Sequence, residues 1–301
     1  IKFYSGAIKE GIKPVCGCDV VVRGEEGAAD TRLLLLAKDR EGYLNLSKLI
    51  SLIYTDNPNR SDASLRLDQL GAFSDGVIAL SGGQFSDIGA ALLEGDQARA
   101  AAYLSRWRSL FPESFYLELQ RVGREREEDY IDAVLDLAAA TGTPVVATND
   151  VRFLEQDDFD AHEVRVCIND RRTLDDPRRS REYTDQQYLK EPAEMLALFN
   201  DIPTALENSI EIAKRCNLSL DLGTPRLPNY PVPDGLTMED FFSQISVDGL
   251  KRRLISLYGE DYAEEEGIDR YWERLDFELK IINQMGFAGY FLIVMEFIQW
   301  S

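Results

Sequence analysis

The sequence predicts an α/β fold followed by a mainly helical segment, on three observations. Short apolar runs that suit buried strands alternate with amphipathic helical stretches as far as about residue 150. Beyond about residue 190, helix follows helix. Among these later helices lies TPRLPNYPVPDG, residues 224–235, whose four prolines mark a boundary or linker by composition.

Each element has its own signal. Residues 18–23 (CDVVVR) read as the first strand and residues 33–37 (LLLLA) as a buried one. Leu46, Leu49, Ile50 and Ile53 follow at the spacing of one helix face. Residues 77–81 form a strand that ends in Gly82 and Gly83, and Leu104, Trp107 and Phe111 stripe the next helix. Residues 115–119 (FYLEL) are again a strand. Tyr130, Val134, Leu137 and Thr141 then mark a helix stopped by Gly142, with Pro144 beyond it. In PVVATNDVRF, residues 144–153, a strand of Val145, Val146 and Ala147 delivers Asn149 and Asp150 to its carboxyl end. That is the end at which α/β proteins usually hold ligands. Successive βα units imply parallel strands joined by right-handed crossovers, in a barrel or a doubly wound sheet. Later, Pro192 opens one helix, and Leu206, Ser209, Ile210, Ala213 and Cys216 stripe the next. After the prolines, Met238, Phe241, Phe242 and Ile245 begin another, and Tyr271, Trp272, Leu275, Leu279 and Ile282 a fourth.

Composition narrows the function classes. At 301 residues the chain has room for two domains. A formal net charge of −20 would repel nucleic acid over most of the surface. The one dense basic run is Arg171, Arg172, Arg178, Arg179 and Arg181, interrupted by Asp170, Asp175, Asp176 and Glu182, and it reads as a solvated loop. Four scattered cysteines, with Cys16 and Cys18 alternating on a strand, fit a reduced cytoplasmic protein. No apolar run approaches the roughly 20 residues of a membrane span. Ile1 in place of Met, and an apolar helical stretch running up to Ser301, point to a chain cut at both ends.

The candidate chemistry is sparse. Gly82-Gly83 lacks the Lys-Ser/Thr of a phosphate loop and reads as a tight strand-to-helix turn. His162, the single histidine, lies between acids and reads as a structural hydrogen bonder more than as a ligand or general base. Asp19 and Asp150, each on or after a strand, are the plausible carboxylates of a metal site. Two carboxylates without imidazole hold Mg²⁺ only weakly. Nucleophilic catalysis has no Gly-x-Ser-x-Gly elbow to rest on.

Several stretches together resemble one family. GIKPVCGCDV (11–20), LLLLAKDREGYLNLSKLIS (33–51), GVIALSGG (76–83), FYLELQRVGR (115–124), PVVATNDVRF, DFDAHEVRVCI (158–168), LDDPRRSREYTDQQYLK (174–190) and INQMGFAGYFLIVMEFIQWS (282–301) are similar to the bacterial replicative DNA polymerase III alpha family, gammaproteobacterial type. The likeness covers essentially the whole chain. It implies a PHP (polymerase and histidinol phosphatase) domain over residues 1–223, a distorted (β/α)7 barrel missing its first elements. It further implies a Pro-rich linker at 224–235 and the start of the polymerase palm at 236–301. The parent would be a DNA-directed DNA polymerase using Mg²⁺ at a site outside this stretch, so no residue here is carried over as a catalyst. Its partners would be primer-template DNA, deoxynucleotides, the sliding clamp and a proofreading exonuclease subunit.

The departures from the family pattern are specific. The position usually held by Glu is Asp19, and the Asp of the N-D motif is kept as Asp150. Histidines implied before LLLLA, after FYLEL and two residues past Asp150 appear as Arg32, Val122 and Arg152. The first His pair of the family would precede Ile1. Guanidinium stays protonated and cannot coordinate a cation. These changes imply a degenerate PHP scaffold in which Arg32 or Arg152 pairs with Asp19 or Asp150. The alternative is an active metal-dependent PHP phosphoesterase or 3′–5′ exonuclease.

Overall fold

A computed structural model of the chain describes residues 1–24, 29–56, 63–179, 181–224 and 228–301. It divides into two compact units, Ile1–Leu220 and Asp221–Ser301. In the first, α1 (Lys2–Lys9) precedes β1 (Gly17–Val22), β2 (Thr31–Ala37), α2 (Arg40–Thr55), α3 (Leu67–Ala72) and β3 (Val77–Leu80). Then come α4 (Asp87–Leu93), α5 (Gln97–Leu110), β4 (Phe115–Gln120), α6 (Glu127–Thr141), β5 (Val145–Thr148), α7 (Phe159–Asp170), α8 (Pro192–Leu198) and α9 (Pro203–Arg215). The five strands form one sheet in the order β1-β2-β3-β4-β5.

Strand direction departs from expectation. β3, β4 and β5 run parallel, whereas β1 pairs with β2, and β2 with β3, in antiparallel fashion. The reason lies between β2 and β3. There α2 and α3 carry the chain out and back, so β3 enters from the end at which β2 finished. Lys38 N–H donates to Gly76 O at 2.9 Å, and Asn45 Nδ2 to Asp75 O at 2.9 Å, which fixes that return. A Cβ on Gly42 would lie 1.8 Å from Gly76 O, so only glycine lets α2 start so close to the turn before β3.

Both faces of the sheet are covered. Val20, Val22, Leu33, Leu35 and Ala37 point into the larger core with Trp107, Phe111 and Tyr130. On the other face Ile78, Leu80, Tyr116 and Val146, with Leu34 and Leu36, meet Ile212 and Cys216 from the end of α9. That second face turns polar toward the carboxyl ends of β4 and β5, where Glu118, Gln120 and Thr148 stand. The helix stripes were read nearly right. Leu46 and Leu49 are buried, but Ile50 is 39% exposed, and on α9 Ile210 is 58% exposed while Ala205 and Ile212 are buried. Gly142 caps α6 at φ +65°, and Pro192 and Pro203 open α8 and α9.

The second unit holds α10 (Met238–Tyr258), α11 (Asp269–Gln284) and α12 (Ala288–Trp300). Phe242, Leu279, Ala288 and Leu292 form its core, with Met238, Phe241, Ile245, Leu275 and Ile282 against it. These are the stripes read from the sequence except for Tyr271 and Trp272, which lie outside this core. Of the proline-rich stretch, residues 225–227 lie outside the described residues. No single described helix is long and apolar enough to cross a membrane; α11 and α12 together have the length but are bent by 117°.

Candidate functional site

Val21 and Arg32 are register partners at the carboxyl end of β1, so both side chains leave the second face of the sheet there. They border a cleft of about 300 Å³. Arg32, Arg124 and Arg152 line it together with Asp150, Phe85 and Tyr183. Asp150 follows β5 at φ +43°, a left-handed conformation that Asp tolerates better than most residues.

Asp150 is fully engaged. Its Oδ1 lies 2.6 Å from Arg152 Nη2, and its Oδ2 accepts from Arg124 Nη2 at 2.6 Å and from Gln187 Nε2 at 2.8 Å. Gln187 also donates to the Asp150 carbonyl at 3.1 Å. Arg124 is 9% exposed at its side chain, stacks on Phe85 at 5.2 Å and bonds Gln120 Oε1 at 2.5 Å through Nη1. Arg152 lies over the Tyr183 ring at 5.5 Å. A divalent cation binding Asp150 would have to displace two guanidinium groups and an amide.

Glu118 is a buried carboxyl without an ion pair among the described residues. Gly82 N–H donates to its Oε2 at 3.1 Å, while Gln120 Nε2 and Thr148 Oγ1 reach its Oε1 at 3.1 and 2.5 Å. Burial holds its pKa above the ordinary range, the Thr148 and Gln120 hydrogen bonds oppose that in part, and the charges of Asp150 and Asp19 add to it. The Gly82-Gly83 turn is therefore the tight turn expected, at φ +81° and +68°, and its first N–H is committed to Glu118.

The positions singled out in the sequence are only partly brought together. The pair between Arg152 and Asp150 is present. Arg32 shares the cleft but makes no ion pair among the described residues. Asp19 is exposed on β1, likewise without an ion pair there, although its charge reaches Glu118. Val122 is fully buried and apolar, its N–H held by Glu127. The reading missed Arg124, Gln187 and Glu118. A charge inside the apolar FYLEL run signalled Glu118; nothing local marked the other two.

One further expectation changes. His162 does not act as a hydrogen bonder through Nδ1, which is buried without a partner among the described residues. Its ring packs on Phe153 and Tyr183 instead, with centroids 5.4 and 4.7 Å away. The arginine run is mostly exposed, as a solvated loop would be, with Arg172 and Arg178 holding Asp176 and Arg179 gripping Glu163 on α7. Two guanidiniums pull the Asp176 carboxyl down to about 2, chiefly through the Arg178 hydrogen bond. Among the described residues, no group of three or more His, Cys, Asp or Glu side chains is placed to hold a metal ion.

With this geometry in hand, known proteins provide a comparison. Residues 1–122 match the PHP domain family, and residues 240–301 match the family described as the bacterial DNA polymerase III alpha NTPase domain. The chain is 48% identical over 303 residues to DNA polymerase III subunit alpha of Pseudomonas aeruginosa. It is 48% identical over 305 residues to that of Pasteurella multocida and 47% over 302 to that of Escherichia coli K12. Each alignment takes in 100% of this chain and 26% of the relative, so the chain spans about a quarter of the length of these curated relatives.

Proposed function

This chain is homologous along its whole length to the bacterial DNA polymerase III alpha subunits, and from that premise we propose that its parent is a replicative DNA-directed DNA polymerase. The whole-chain identity at 46–48% carries this reading. The parent would bind primer-template DNA, deoxynucleotides and the sliding clamp in the cytoplasm. Mg²⁺, held elsewhere in the parent, would supply charge stabilisation for nucleotidyl transfer.

Within this chain, residues 1–223 would be a PHP domain whose sheet belongs to a distorted barrel, 224–235 the linker, and 236–301 the start of the palm. The division into units at Leu220 and the second family match from residue 240 favour these limits. The domain would be a degenerate scaffold that docks the proofreading exonuclease subunit, with Asp19 and Asp150 vestigial and Arg32, Val122 and Arg152 at lost ligand positions. What supports this is Asp150: a carboxylate neutralised by two arginines does not fit a tightly held divalent cation.

The test is made on the full-length parent. It should extend a primed template with Mg²⁺, carry no stoichiometric metal attributable to Asp150, and retain the exonuclease subunit on a column. A nuclease assay with Mn²⁺ or Zn²⁺ should show no hydrolysis. Stoichiometric metal together with hydrolysis lost in Asp150→Asn would establish the active phosphoesterase instead.

A further inference from the structure

Residues 183–190 run as a strap across the carboxyl end of β5. Asn149 Nδ2 donates to the carbonyls of Gln186 and Tyr188 at 3.2 and 2.7 Å. Arg152 N–H donates to Gln187 O at 2.8 Å, and Leu189 N–H to Phe153 O at 3.1 Å. Gln187, fully buried, reaches from the strap to Asp150. Glu182 and Tyr183, at the head of the strap, border two cavities at once. One is the arginine-lined cleft. The other, about 340 Å³, is lined by His162, Arg165, Asn169 and Asp170.

His162 is wedged against this strap. Its ring stands at 78° to Tyr183 and is tilted by 52° to Phe153, and Arg152 lies over that same Tyr183 ring. The charged groups around the imidazole come from every neighbouring element. Glu163, Arg165 and Asp170 belong to its own helix and Arg152 to the loop after β5, while Glu182 is the residue just before the strap. Glu163 is already gripped by Arg179, so its charge is largely committed.

We propose that His162 and the strap form a proton-operated latch: the neutral imidazole wedges Tyr183 and residues 183–190 shut over the cleft, and its protonation releases them. An imidazolium there places a donor at buried Nδ1 with no acceptor among the described residues, and adds a third cation beside Arg152 and Arg165. Burial, then Arg152 and Arg165, hold the His162 pKa below its ordinary value against the pull of Glu163. Because the folded pKa is depressed, closure is complete above the ordinary histidine range and weakens as pH falls through the folded pKa. Opening would withdraw Gln187 from Asp150 and widen the cleft. The latch is independent of the scaffold reading.

Hydrogen–deuterium exchange on the full-length parent, at about pH 7.5 and about pH 5.5 and corrected for intrinsic rates, tests it. Amides of residues 152 and 183–190 should exchange faster at the lower pH, about tenfold for each unit by which the imidazole is held down, while β4 amides stay protected. His162→Phe, which keeps the ring contacts but cannot titrate, should abolish that difference. If it disturbs β4 protection, His162→Asn serves as the non-titrating variant. A strap indifferent to pH in the natural chain, or equally pH-sensitive in a folded variant, overturns the proposal.

Discussion

At the scale of single residues, Asp150 in the cleft and the buried Glu118 show two ways of holding a carboxyl group away from bulk water. Asp150 is neutralised by Arg124 and Arg152 at 2.6 Å each. In Asp150→Asn both guanidiniums lose their partner, and Arg124, nearly buried, is left without an acid. A loss of about 2–3 kcal/mol is expected in urea denaturation, below the fully buried limit because Arg152 is part-exposed. Among the described residues, the donors to Glu118 are all neutral. Its raised pKa means that the folded chain binds this proton more tightly than the unfolded one. The acid is therefore fully favourable below the ordinary carboxylate range, and the fold weakens as pH rises through the folded pKa. Glu118→Gln should be more stable than the natural chain at neutral pH by about 1–2 kcal/mol, with the gap closing toward pH 4.5. Thermal melts across that range check it, and a gap independent of pH would refute the assignment.

At the scale of elements, the out-and-back path of α2 and α3 sets the direction of β3, and it depends on a backbone contact between Gly42 and Gly76. Gly42→Ala puts a methyl where Gly76 O stands, so α2 must move off the turn. The Asp39 cap, which accepts from Gly42 N–H at 3.0 Å, would be strained with it. The variant should lose about 2–4 kcal/mol, in the range of overpacking plus a lost cap, whereas Gly6→Ala in exposed α1 should not destabilise. Equal melting temperatures for the two variants would show that this contact does not matter.

At the scale of the whole molecule, the first unit buries a continuous core around Trp107, which is fully buried and stacks on Phe115 at 6.4 Å. Trp107→Ala should cost about 3–5 kcal/mol there. If this unit is a support in the parent, the variant lowers the yield of active polymerase without changing the KM for deoxynucleotide in the molecules that remain active. Active-site titration against total protein separates the two quantities, and a raised KM with full yield would contradict a support role.

Legible in the sequence alone were the five strands, the longer striped helices, glycines and prolines that end or open them, and the family the chain resembles, whereas the helices α1, α3, α4 and α7 were not. Those signals are local: a run such as LLLLA, a Gly142 cap or a helix stripe is read within one or two turns of chain. The sequence left open whether Arg32 or Arg152 pairs with Asp19 or Asp150; of these pairings the structure holds Arg152 on Asp150. Only the tertiary structure decided the antiparallel course of β2 and β3, the role of Arg124, 26 residues from Asp150, and that of Gln187, 37 residues away. Periodicity records which face of an element is buried and not which way the next strand enters the sheet. A hydrogen bond between distant residues leaves no trace in the spacing of either. The surroundings of His162 are hidden in the sequence for the same reason, since the rings that pack on it come from the loop after β5 and from the strap.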